Sequence, residues 1–110
     1  MPIFISQGRF TRDYVRGAMA NPQDRYAALS KLCEAAGGRL LSYYVTSGQY
    51  DFLTIAEAPD ARAVAAALLA VVGAGGVQDS VTTQAFTTSE GKELFELAGK
   101  LAGTYKAPIA

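Results

Sequence analysis

The residues best suited to chemistry in this chain stand together near its middle, in Val45-Thr46-Ser47-Gly48-Gln49-Tyr50-Asp51-Phe52. Tyr50 and Asp51 set a phenol beside a carboxylate just past a Ser-Gly turn. If Asp51 points into a cavity beside Tyr44 or Ser6, the group forms a site for a polar or cationic small molecule. With Tyr44 or Tyr50 as hydrogen-bonding partner, the same carboxylate would act as a general acid or base. A plainer role is open as well: Asp51 accepts hydrogen bonds from turn amides or pairs with Arg9 or Arg39, and Tyr50 covers the mouth of a fold. The candidate ligand-binding set is therefore Ser6, Tyr44, Tyr50 and Asp51. Gly48 serves the turn, because glycine takes positive φ without steric cost.

Composition narrows the chemistry. The chain has no histidine, which removes the commonest general base and the commonest zinc and haem ligand together. No catalytic residue, metal or cofactor is assigned. Cys33 is the single cysteine; it allows no internal disulfide and falls on a helical apolar pattern, as a structural thiol does. Ten basic residues balance ten acidic ones, leaving no field to gather nucleic acid or an anionic membrane. The longest run of apolar and small residues, from Ala63 to Gly76, is too short to span a bilayer. A soluble, cytoplasmic protein is expected, since Met1-Pro2-Ile3-Phe4-Ile5 opens a strand and not a signal peptide.

Other groups read as structural. Tyr14, Tyr26, Tyr43 and Tyr44 form a phenol-rich set, but tyrosine suits half-buried core and interface positions. Arg9, Arg12 and Arg16, interrupted by Asp13, read as a solvated face. Gly73-Ala74-Gly75-Gly76 follows a helix and lacks the Lys-Ser/Thr end of a phosphate loop.

The elements that position these residues follow from hydrophobic period and caps. Pro2–Arg9 reads as a strand, with Ile3, Ile5 and Gln7 on one face and Phe4, Ser6 and Gly8 on the other. Thr11 caps a short helix carrying Tyr14, Val15, Ala18 and Met19; Asn21-Pro22 ends it and starts another over Gln23–Ala36, closed by Gly37-Gly38. Arg39–Thr46 and Gln49–Glu57 form a hairpin, with Leu41, Tyr43 and Val45 on one face and Leu40, Ser42, Tyr44 and Thr46 on the other. Because side chains alternate, either Tyr50 or Asp51 faces inward. Asp60 caps Ala61–Gly73, whose Val64, Ala65, Leu68, Val71 and Val72 make a stripe on a helix almost without a polar face. Such a helix needs cover on two sides, from the C-terminal helix or another subunit. Val77–Thr87 is a last strand, and Ser89 caps a final helix edged by Leu94, Leu97, Ala98 and Leu101.

This order is the split βαβ pattern of an α+β, ferredoxin-like fold: a four-stranded antiparallel sheet with helices on one face and an extra C-terminal helix. One domain is expected over residues 1–104, with a flexible tail at 105–110. The other sheet face, carrying side chains such as Tyr44, Phe52 and Phe86 or their neighbours, is left bare. Half the residues are apolar and the mean hydropathy is +0.13, rich for a monomer. Both point to sheet-on-sheet pairing, a dimeric α+β barrel with a central cavity.

The run Gly38-Arg39-Leu40, then Tyr44, Thr46, Gly48-Gln49-Tyr50-Asp51 and Glu57-Ala58-Pro59-Asp60, resembles the GYD-domain proteins, named for that Gly-x-Tyr-Asp signature. Ile5-Ser6 and Ala85-Phe86-Thr87 extend the likeness over about residues 1 to 95. The resemblance implies a dimeric α+β barrel of largely uncharacterised function. By architecture and a Gly-and-Asp hairpin it also resembles the ligand-binding domains of some amino-acid-responsive regulators. The expected role is a non-catalytic homodimer, or higher even oligomer, that binds a small polar or aromatic molecule or serves assembly, with no nucleic-acid or membrane partner. The alternative is a cofactor-free monooxygenase or isomerase of the barrel type, using Asp51 and the tyrosines.

Overall fold

A computed structural model describes residues 1–109. The chain forms β1 (Ile3–Phe10), α1 (Arg12–Ala20), α2 (Tyr26–Ala35), β2 (Arg39–Val45), β3 (Phe52–Glu57), α3 (Ala61–Gly73), β4 (Val77–Ala85) and α4 (Thr88–Leu101), with a short 3₁₀ turn at Ala102–Thr104. The strands make one sheet in the order β2-β3-β1-β4, antiparallel at every pairing. This is the expected α+β, ferredoxin-like arrangement.

Two of the helix caps fall where expected. The Thr11 hydroxyl accepts the Tyr14 N–H, and the Asp60 carboxylate accepts the Ala63 N–H, each satisfying an amide that the first helical turn leaves free. The last helix starts earlier than expected: its cap is Thr87, not Ser89, because Thr87 and Glu90 bond each other's backbone in a capping box. α2 starts at Tyr26 and not at Gln23. The Asp24 carboxylate takes the Tyr26 N–H at 2.9 Å, which leaves Pro22 and Gln23 in the connection.

The helices cover the sheet face built from Phe4, Ser6, Phe52, Thr54 and Ala56. Leu29, Leu32 and Cys33 of α2 and Val64, Leu68 and Val71 of α3 pack over it around a small cavity of about 110 Å³. The buried apolar core is Phe4, Leu40, Phe52, Ala58 and Val77. Phe52, only 6% exposed, lies on this covered face and not on the bare one. Leu40 is also on the covered face, opposite Ala56, together with Tyr43 opposite Thr54. Strict alternation would separate Leu40 from Tyr43. A bulge at Leu41 adds a residue to β2 and brings them to the same side. A second bulge adds a residue to β4 opposite Gly8, where Asp79 has φ 52°.

The bare face carries Ile3, Ile5, Leu53, Ile55, Val81 and Tyr44, as the pairing register requires. The stripe of α3 against the sheet is Ala63, Val64, Ala67, Leu68 and Val71; Leu69 on its back is 72% exposed. α4 gives that helix no second cover. Every α4 residue but Gly91 is exposed, Phe95 to 80%. The molecule measures 58 × 33 × 22 Å with a radius of gyration of 17.6 Å, against roughly 13 Å for a compact domain of this length. Beyond the 3₁₀ turn, Tyr105 and Ile109 are exposed, and the last residue of the expected tail, Ala110, lies outside the described residues.

Candidate functional site

The hairpin that carries the signature is wider than a two-residue turn. Pairing of β2 with β3 ends at Val45 and Phe52, so Tyr50 and Asp51 lie in the loop and strand alternation does not govern them. Inside the loop the Thr46 N–H donates to the Asp51 carbonyl at 2.8 Å, and the Thr46 hydroxyl donates to the Tyr50 carbonyl at 2.7 Å. Gly48, at φ 154°, is at the open tip. The Asp51 N–H donates to the Gly8 carbonyl at 2.8 Å, and its carboxylate accepts the Phe10 N–H at 3.0 Å. Asp51 thus fastens the hairpin to the end of β1, where the β4 bulge interrupts the ladder.

Ser6 faces the helices, nearly buried, and shares a hydrogen bond of 2.9 Å with the Thr82 hydroxyl. Tyr44 is on the opposite, bare face and 59% exposed. Tyr50 is half-buried in the loop. A single chain therefore does not gather Ser6, Tyr44, Tyr50 and Asp51 around one cavity. Among the described residues no cluster of three or more His, Cys, Asp or Glu side chains could hold a metal ion, and no helix is long and apolar enough to cross a membrane.

A groove opens instead where β1 and β2 meet α1 and the α1–α2 connection. It has a volume of about 630 Å³ and is lined by Phe10, Tyr14, Met19, Arg25, Tyr26 and Tyr43, with Asp24 among its polar residues. It shares Phe10, Tyr14, Arg25 and Tyr43 with a recess of about 450 Å³ that reaches Val71 and Ala74 at the end of α3. The Phe10 and Tyr14 rings stack with centroids 4.3 Å apart, and Phe10 continues the stack onto Phe52 at 5.5 Å. Tyr14 is held by its surroundings. The Thr11 hydroxyl donates to the Gly75 carbonyl at 2.7 Å, and a Cβ on Gly76 would stand 2.7 Å from the Tyr14 ring, so only glycine lets that ring lie flat there.

Burial pushes the Tyr43 phenol up to about 12, aided by the neighbouring Tyr14 hydroxyl and opposed by Arg25. Tyr43 is thus a hydrogen-bond donor at any ordinary pH. The Tyr26 hydroxyl donates to the Leu40 carbonyl at 3.3 Å. Burial, then Glu34, raises the Cys33 thiol, which keeps it a poor nucleophile. The sequence marks Tyr14, Tyr26 and Tyr43 as part of a phenol-rich set but carries no sign that they converge with Phe10 and Arg25, since these residues come from five different elements and connections.

Comparisons with known proteins agree with this architecture. The GYD domain family matches residues 4–95. A glutamine synthetase and cystathionine beta-lyase binding protein from Thermus thermophilus is 31% identical over 90 residues, covering 82% of this chain and 94% of its own. Among solved structures, a transcriptional regulator from Neisseria meningitidis in complex with L-methionine superposes with a TM-score of 0.56 at 21% identity. That match covers 78% of this chain and 50% of the regulator, so the chain spans half of that protein's length. A solved structure of a Thermus thermophilus protein gives a TM-score of 0.51 at 17% identity, covering 79% of this chain and 95% of its own. These structural likenesses are of fold. With its signature hairpin, its ferredoxin-like sheet and a family match over most of its length, the chain belongs to the GYD-domain family.

Proposed function

We propose that this chain is a non-catalytic binding module that pairs with a second copy through the bare face of its sheet and holds that copy with its C-terminal arm. The observation that carries this reading is surface. The chain exposes 7979 Å², whereas a compact monomer of 11.6 kDa exposes roughly 5,800 Å². The excess of about 2,000 Å² exceeds the roughly 800 Å² that each partner contributes to a standard stable interface. Exposed apolar side chains stand in two places, Tyr44 and Val81 on the bare sheet face and Leu94, Phe95 and Leu101 on α4, with Ile5, Leu53 and Ile55 half-buried between the first two. Among the described residues no side chain is completely sealed from solvent.

The unit that acts this way is the domain over residues 1–104, in the cytoplasm. Of the candidate residues, Tyr44 is the one that face-to-face packing covers; Ser6, bonded to Thr82 under the helices, and Asp51, bonded to β1, serve the fold, and Tyr50 stays in the hairpin loop. The Thermus relative is described as binding two enzymes, and by that analogy the paired module docks on another protein. The cofactor-free enzyme reading gains less support, because the Asp51 carboxylate it depends on is occupied with backbone.

Size-exclusion chromatography with light scattering, across the micromolar range, tests the reading. A dimer or an even multiple is expected, and Ile55→Asp, which puts a charge at the centre of the bare face, is expected to yield a folded monomer. A wild-type monomer throughout that range would sink the proposal.

A further inference from the structure

We propose that the groove between α1, α2 and the ends of β1 and β2 binds a small planar aromatic carboxylate, its ring among Phe10, Tyr14 and Tyr43 and its carboxylate on Arg25. This deepens the binding-module reading and rests on it for the absence of a reaction, but the groove is complete within one chain.

Three features select that chemistry. The first is shape: a volume of about 630 Å³ falls in the range of small-molecule sites, which are mostly apolar with a few placed polar groups. Met19, Val15, Ala18 and Pro22 supply the apolar side. The second is the aromatic wall. Phe10 and Tyr14 lie nearly parallel, with 13° between planes, and a flat ring extends or flanks such a stack at little entropic cost. The third is the polarity of the lining. Tyr43 and Arg25 stand beside the aromatic wall in the same lining, so a ligand that carries an acceptor meets polar groups there.

Arg25 adds the charge. Its guanidinium carries five donors in a planar fork suited to carboxylate, yet among the described residues it is engaged with the Gln23 side-chain oxygen alone, at 3.0 Å. The ion pairs among the described residues join Arg39 with Glu57 and Lys92 with Glu96, so none of them uses Arg25. The acid beside it, Asp24, has its Oδ1 on the Tyr26 N–H, directed at the start of α2. A neutral ring would fill the groove but leave Arg25 without a partner, and an aliphatic acid would satisfy Arg25 but not use the stack.

Isothermal titration and ligand-observed NMR with benzoate, set against benzyl alcohol, test this on the full chain. Saturable benzoate binding is expected, weaker by about tenfold or more in Arg25→Gln, as loss of a charge-assisted hydrogen bond implies. Benzyl alcohol should bind the wild type about as poorly as benzoate binds that variant. Tyr43→Phe, which keeps the ring, should weaken benzoate binding by a smaller factor. No saturable binding up to about 10 mM, or binding that Arg25→Gln leaves unchanged, would overturn the proposal. Light scattering on the same samples separates the two readings: an intact dimer that ignores benzoate removes the groove site alone, and a monomer that binds it removes the assembly alone.

Discussion

The Asp51 carboxylate accepts the Phe10 backbone N–H at 3.0 Å, while the Asp51 N–H reaches the Gly8 carbonyl two residues earlier on the same strand. One residue of the signature thereby holds β1 on both sides of Arg9, where its ladder with β4 slips. Without that carboxylate the Phe10 amide has no partner in a part-buried setting. Asp51→Ala is therefore expected to cost about 1–3 kcal/mol, and Asp51→Asn, whose amide oxygen still accepts, clearly less. Urea unfolding of both variants checks this; an alanine variant as stable as the wild type would show that the bond carries no weight.

Gly8 is the companion constraint. A Cβ there would lie 2.8 Å from the Phe52 ring and 3.2 Å from the Gln78 carbonyl. The ring belongs to the core and the carbonyl to a neighbouring strand, so neither gives way easily. Gly8→Ala should destabilise by about 1–3 kcal/mol through overpacking, measured by thermal or urea unfolding. An unchanged midpoint would mean that Phe52 has room to move.

Tyr43 should be visible in an alkaline titration. Its folded value of about 12 stands above its ordinary 10.0, through burial first and Tyr14 second. The folded state then holds a proton that the unfolded state has given up. This contribution to stability is complete below pH 10 and is lost as pH rises toward about 12. Ultraviolet tyrosinate absorbance should show a late component that Tyr43→Phe removes and that comes later still in Arg25→Gln, where the opposing cation is gone. A wild-type profile with no late component, or an Arg25→Gln profile moved the other way, would contradict this geometry.

The projecting helix allows a test independent of the sheet. Leu94 and Leu101 are exposed on a helix with its own capping box and a Lys92–Glu96 pair at 3.7 Å, so charges there should not unfold the chain. Leu94→Asp with Leu101→Asp is expected to weaken self-association by about tenfold or more, the loss of one well-buried apolar contact, while the circular dichroism spectrum stays unchanged. Sedimentation equilibrium reads the result, and undiminished association would release α4 from any role in holding a second copy.

Asp79 has φ 52°, a left-handed conformation that costs an L-residue about 1–2 kcal/mol, less for aspartate than for most. Asp79→Gly removes that cost and loosens the unfolded chain in exchange. The expected net effect is a gain of up to about 1 kcal/mol in urea unfolding; a loss would show that the Asp79 side chain contributes a contact of its own.

The parts of this fold written in local chemistry are legible from sequence. Thr11 and Asp60 cap helices because a short polar side chain beside an apolar period has few other uses, and the Gly37-Gly38 exit follows the same logic. The Thr87-Thr88-Ser89-Glu90 box is equally local, and the choice of Ser89 overlooks its Thr-x-x-Glu spacing. The face of Leu40 is different in kind. It depends on one extra residue in β2, and a bulge is fixed by the partner strand and not by the strand's own alternation. Tyr50 and Asp51 escape strand alternation because backbone bonds from the Thr46 N–H to Asp51 and from the Asp51 N–H to Gly8 close a wide loop around them. The groove is least legible of all: Phe10, Tyr14, Arg25 and Tyr43 meet only after the sheet has ordered and Gly76 has admitted the Tyr14 ring.

The two bulges fall on β2 and β4, the strands whose outer edges have no neighbour. A regular, flat edge offers its amides and carbonyls as a template on which another chain can add a strand, and repetition of that step grows a fibre. An extra residue twists and breaks the template on each side. The sheet is therefore hard to extend in its own plane, and the face-to-face assembly proposed above would close on itself and stop growing, where a ribbon would not.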